Sequence, residues 1–201
     1  MKPKSNAQKM LEFADKQALI RPSDLRLLEI PRSYLYRLVS QGKLIRVQRG
    51  LYTSTKTPPT AHQSLIEVSR RVPRAVICLA SALRFYELTT QSPQEVWIAI
   101  DVKGRKPQIS YPPIRVVWLS GRTLTFGIRE HLIDGVRIRV YSPAKTVADC
   151  FKFRNKIGLD LAIEALREVY RQKKATTDEL WEAAKVCRVS KVMLPYMESL
   201  V

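Results

Sequence analysis

The sequence predicts an α+β protein: an N-terminal winged helix-turn-helix over residues 1–56, then a larger mixed α+β domain over residues 60–201. Three observations predict it. Three short amphipathic patterns fill the first 41 residues and lead straight into a β-branched alternation around Arg49-Gly50. Lys56-Thr57-Pro58-Pro59 then interrupts every periodicity with a proline-stiffened joint. Beyond it, helical patterns flank β-branched and aromatic runs bounded by Pro and Gly.

The first helix is expected from about Ser5 to Lys16, because Ser5 and Gln8 stand in capping-box spacing and Met10, Leu11 and Ala14 share one face. Pro22 suits the first turn of a second helix that buries Leu25 and Leu28. A third helix, Pro31–Gln41, turns Leu35, Leu38 and Val39 inward and stops at Gly42, a residue tolerant of left-handed backbone. Leu44–Thr53 then reads as a minimal β-hairpin, the wing. In the second domain, Thr60 and Gln63 repeat the capping-box spacing and open a helix through about Val72. Ala75–Leu79 fits either a strand or the start of the helix from Ser81 to Leu88, with Ser81 as its N-cap. Val96–Ile100, Ile114–Leu119 and Val136–Tyr141 are expected strands. Ser142-Pro143 opens a helix through about Phe153, and two more follow near Leu159–Gln172 and Thr177–Val186.

Charge points to the partner. Thirty-five Lys and Arg face eighteen Asp and Glu, a net charge of +17 that suits a polyanion. Residues 1–56 hold 12 basic and 4 acidic side chains, residues 57–155 hold 15 and 7, and residues 156–201 hold 8 and 7, so the excess is +8, +8 and +1. No acid occurs between Ile30 and Ile66, where Arg32, Arg37, Lys43, Arg46, Arg49 and Lys56 fall. That stretch is the expected footprint of double-stranded DNA.

In a helix-turn-helix the second helix of the motif enters the major groove, and basic residues around it hold phosphates. With Leu35, Leu38 and Val39 inward, the third helix turns Arg32, Ser33, Tyr36, Arg37 and Ser40 outward. Arg32 and Arg37 can fork onto guanine or phosphate, and Ser33 and Tyr36 can donate to either. Lys43 stands at the hinge to the wing, which offers Arg46, Gln48 and Arg49 to the backbone or an adjacent minor groove. Arg70, Arg71, Arg74 and Arg84 either extend this surface or form a solvated face.

Ile20-Arg21-Pro22-Ser23-Asp24-Leu25, then Leu38 to Val47 and Arg49-Gly50-Leu51-Tyr52, resemble the N-terminal domain of AbiEi-type antitoxins. Further on, Ser81-Ala82-Leu83, Val96 to Ile100 and Tyr141 to Asp149 look like the corresponding segments of that family. The resemblance implies a regulator that represses its own type IV toxin–antitoxin operon by binding promoter repeats. It also implies a cognate toxin countered without a stable complex, and a monomer or weak dimer that assembles on DNA.

Other chemistry is weighed against this. Asp101 and Lys103, two apart at a strand end, resemble half of a metal-dependent nuclease site, but the nearby upstream acids are only Glu87 and Glu95. A protein-interaction adaptor built on the winged helix is a third class. His62 and His131 are too separated to form a metal site and read as surface or helix-start residues. No catalytic residue, cofactor or metal is expected. Cys78, Cys150 and Cys187, odd in number and set among apolar neighbours, read as buried thiols of a reduced compartment. No run is long enough to span a bilayer, and a cytoplasmic protein is expected.

Overall fold

The computed structural model describes residues 5–16, 20–55, 62–109 and 112–199. The expected linker at 56–59 and the expected cap at Thr60 lie outside the described residues. The chain divides into two compact units, Met1–Arg70 with Leu132–Arg137, and Arg71–His131 with Ile138–Val201.

In the first unit, α1 (Asn6–Lys16) opens as its spacing predicts. The Ser5 N–H donates to Gln8 Oε1 at 3.1 Å and the Gln8 N–H to Ser5 Oγ at 3.3 Å. The single turn α2 (Asp24–Leu27) starts where Asp24 Oδ2 accepts the Arg21 N–H at 2.8 Å. It buries Leu25 and half-buries Leu28. Its exit is sharp: Glu29 takes φ +55° and the Ile30 N–H returns to the Leu25 carbonyl at 3.1 Å. α3 (Ser33–Ser40) buries Leu35 and Leu38, leaves Val39 half-buried, and is stopped by Gly42 at φ +66°. There the Lys43 N–H reaches the Leu38 carbonyl at 2.9 Å, closing the helix end with a bond that needs the left-handed residue.

The wing pairs β1 (Leu44–Gln48) with β2 (Leu51–Ser54), antiparallel, with an irregularity between Arg46 and Gln48. Sequence reasoning finds these two strands but not the isolated bridge that Ile20 adds to β2. The Ile20 N–H donates to the Tyr52 carbonyl at 2.8 Å, and the Ile20 carbonyl accepts in return from the Tyr52 N–H at 3.0 Å. Met10, Ala14, Ile20, Leu25, Ile30, Leu35, Leu38, Leu44 and Tyr52 form one buried cluster. α1, α2, α3 and both wing strands contribute to it, so the pose of α3 is set by apolar packing. α4 (Gln63–Arg71) follows.

The second unit is built on a five-stranded sheet in the order β5-β4-β3-β7-β6. The strands are β3 (Val76–Ile77), β4 (Val96–Asp101), β5 (Ile114–Leu119), β6 (Ile128–Ile133) and β7 (Val136–Tyr141). β4 runs antiparallel to β3 and parallel to β5, and β3 runs parallel to β7. Asp134 and Gly135, at φ +48° and +71°, make the two-residue turn that joins β6 to β7. The helices are α5 (Leu79–Phe85), α6 (Gly121–Thr125), α7 (Pro143–Lys152), α8 (Arg154–Ile157), α9 (Leu159–Arg171), α10 (Thr177–Cys187) and α11 (Ser190–Glu198).

α7 is the axis of this unit, buried at every position from Pro143 to Phe151. It starts as predicted, with Ser142 Oγ accepting the Lys145 N–H at 3.3 Å and Pro143 in the first turn. Thr146 Oγ1 donates to the Tyr141 carbonyl at 3.1 Å, and the Tyr141 hydroxyl to the Leu124 carbonyl at 2.7 Å. Cys78, Cys150 and Cys187 are all buried free thiols.

Several expectations change. Ser81 lies inside α5, which Cys78 precedes as the cap residue. The Ser81 hydroxyl accepts the Trp97 N–H at 2.9 Å, pinning the helix to β4. Ala75–Leu79 holds both alternatives, a short strand and a helix start. His131 is a half-buried strand residue whose Nε2 lies 3.1 Å from the Tyr86 hydroxyl. Burial and Arg129 lower its pKa. Sequence reasoning misses α6, α8, β6 and α11. β6 reads Ile-Arg-Glu-His-Leu-Ile on the sheet edge, with too little alternation to see, and α11 carries Pro195 inside it.

Candidate nucleic-acid interface

The corner at Glu29 and the stop at Gly42 fix where α3 begins and ends, and its buried residues fix its rotation. Ser33, Tyr36, Arg37 and Ser40, at helical spacing i, i+3, i+4 and i+7, form one exposed stripe, with Arg32 exposed just ahead of it. Tyr36 is 62% exposed, far more than a tyrosine shows when its ring serves a core. In the hinge and wing, Lys43, Arg46 and Arg49 are exposed as well. Gln48 lies on β1, and its side chain is outside the described residues. The structure thus gathers Arg32, Ser33, Tyr36 and Arg37 on one helix and places Lys43, Arg46 and Arg49 on the segment that follows.

Two residues that sequence reasoning passed over shape this surface. The Arg37 guanidinium lies over the Tyr34 ring, 4.3 Å from its centroid, which restricts the long side chain before any ligand arrives. Their i, i+3 spacing is the signal that could have found the pair. In the wing, Ile45 is 52% exposed among the cations, an apolar contact that charge counting does not register.

Asp24, an acid upstream of the stripe, is tied up elsewhere. Asp24 Oδ2 accepts from the Arg21 N–H and from Arg70 Nη1 at 3.0 Å, an ion pair between α2 and α4. Arg70 is thereby engaged within the first unit. Arg74 and Arg84 are exposed and Arg71 is half-buried.

The nuclease alternative meets a different geometry. Asp101 Oδ1 accepts the Lys103 N–H at 2.8 Å, so the carboxylate closes its own turn. Among the described residues no three His, Cys, Asp or Glu side chains gather as metal ligands. Nor, among those residues, is any helix long and apolar enough to cross a membrane.

A three-helix unit with a β-wing and a donor-rich, exposed second motif helix defines the class: a winged-helix DNA-binding regulator. More narrowly, residues 8–55 match the model of the family described as the transcriptional regulator AbiEi antitoxin. The whole chain has a structural counterpart in the crystal structure of the RV2827C protein from Mycobacterium tuberculosis, at a TM-score of 0.66 and 13% identity. The alignment covers 95% of this chain and 76% of that one, a likeness of fold. The sequence finds no significant match among curated proteins.

Proposed function

We propose that the protein is a sequence-specific repressor of its own operon and the antitoxin of a type IV toxin–antitoxin system. The observation that carries this reading is the exposed stripe of α3, free of acids and continuous in sequence with a cationic wing, in the segment that matches the AbiEi antitoxin regulators. Arg32, Ser33, Tyr36 and Arg37 read base edges in the major groove, while Lys43, Arg46, Gln48 and Arg49 hold backbone phosphates. Residues 1–56 supply DNA binding and residues 60–201 the antitoxin domain. The protein acts in the cytoplasm as a monomer or weak dimer that assembles on promoter repeats, and it counters its toxin without a stable complex. It acts without enzymatic chemistry.

The test is footprinting of the purified full chain on DNA immediately upstream of its gene. Protection of a repeated element at moderate salt is expected, and its absence would sink the repressor. A co-transcribed nucleotidyltransferase-like toxin, neutralised in cells by this chain without co-purifying with it, is the matching result for the antitoxin half.

A further inference from the structure

The second unit carries a cavity that DNA binding by the winged helix does not use. The pairing of Val76 with Ala99 places these two residues on one sheet face, and strand alternation carries that face on to Asp101. Ile77 pairs with Val140, so Arg139 shares the face of Val76. There, beside the end of α6, opens a cavity of about 550 Å³. Its floor is apolar, from residues such as Val72, Val76 and Leu124.

Its rim is cationic: Arg74, Arg105 and Arg139 all line it. Arg139 Nη1 donates to the Arg74 carbonyl at 3.0 Å, which holds that guanidinium in place beforehand. Among the described residues no carboxylate pairs with any of the three arginines. The one acid in the lining is Asp101, whose Oδ1 is engaged by the Lys103 N–H. A ligand that fits must therefore carry at least two negative charges, an apolar body for the floor, and a donor for Asp101 Oδ2. The volume lies within the roughly 300–1,000 Å³ of small-molecule sites. A DNA duplex keeps its bases stacked inside, so it can meet the rim but leaves the floor bare.

We propose that this cavity binds a nucleoside di- or triphosphate. The phosphates are held by the forked guanidinia of Arg74, Arg105 and Arg139, the base lies on the apolar floor, and a ribose hydroxyl or an exocyclic amine donates to Asp101. The inference stands apart from the operator-binding role.

Isothermal titration of the full chain with ATP, GTP, CTP and UTP, with inorganic pyrophosphate, and with a short DNA duplex tests it. At least one nucleotide should bind with one-to-one stoichiometry, and pyrophosphate should bind more weakly. Arg74→Ala and Arg105→Ala, both at exposed positions, should each weaken nucleotide binding roughly tenfold or more with unchanged thermal stability. Lys185→Ala, in a separate basic cleft, should leave it unchanged. Arg37→Ala should lose the operator while keeping the nucleotide, so failure of one reading is distinguishable from failure of the other. The proposal is overturned if no nucleotide binds at millimolar concentration, or if pyrophosphate binds as tightly as the nucleotides. It is equally overturned if Arg105→Ala weakens duplex binding and spares nucleotide binding.

Discussion

Lys145 Nζ lies 2.5 Å from Asp149 Oδ2, one helical turn apart on α7, in an ion pair that solvent does not reach. The ammonium also sits over the Tyr141 ring, 4.2 Å from its centroid, and Asp149 Oδ1 accepts from the Cys187 thiol at 3.3 Å. Burial pushes the Asp149 carboxyl above its ordinary range, and Lys145 pulls against that shift. Removing one partner leaves the other charge buried alone. Lys145→Met should therefore destabilise the fold by about 3–5 kcal/mol, and Lys145→Met with Asp149→Leu should recover much of the loss. Urea denaturation of both variants measures it.

Gly127 faces this pair. A Cβ there would stand 2.8 Å from Lys145 Cβ and 3.1 Å from Ser142 Oγ, on a backbone already at φ +72°. Gly127→Ala combines a left-handed penalty with overpacking against a buried helix. A loss of about 2 kcal/mol or more is expected, read as a lower denaturation midpoint. Gly50→Ala keeps only the first cost, since its Cβ would meet nothing within 4 Å, and should lose about 1 kcal/mol.

The three thiols predict an alkaline limit. Burial raises the pKa of Cys78 and Cys150 well above the ordinary thiol value and pushes Cys187 up from 9.0 to about 12. Between those values the unfolded chain releases a proton that the folded chain keeps, so stability falls as pH rises through the window. Below pH 9 the contribution is fully present. Cys187→Ala should make the decline shallower by about 1.4 kcal/mol per pH unit, measured by denaturant titrations at several pH values. An aromatic disulfide reagent at neutral pH should leave all three thiols unmodified until the protein unfolds.

On DNA, the arginines should separate by role. Arg49→Ala should reduce the slope of log affinity against log salt by roughly 0.9, the release expected for one phosphate contact. Arg32→Ala should relax sequence preference at one position by about 1–3 kcal/mol. Tyr34→Leu keeps the helix but removes the ring beneath Arg37, and should weaken operator binding by about 0.5–1 kcal/mol. Filter binding over a salt series with operator and scrambled duplexes distinguishes these outcomes. An Arg49 variant with an unaltered slope would remove the wing from the interface.

The sequence by itself determined what local chemistry decides. The Ser5–Gln8 box, the Gly42 stop and Ser142-Pro143 act within one turn of the chain, and each appears where its residues predict. Helical period alone turned Arg32, Ser33, Tyr36 and Arg37 outward, because burying Leu35 and Leu38 leaves that stripe no other direction. Charge, which adds without regard to fold, marked Lys43, Arg46 and Arg49.

Tertiary structure decided what distant residues do to one another. Ile20 bridges to the wing only because Tyr52 offers it backbone partners, and Ser81 becomes a pin instead of a cap because Trp97 reaches it from β4. Lys145 counts as a surface cation in any sum over the sequence, yet packing closes over it and leaves Asp149 as its partner. The cavity among Arg74, Arg105 and Arg139 joins residues from three separate stretches of chain. No window along the sequence holds them together, since strand order in the sheet, set by long-range pairing, is what makes them neighbours.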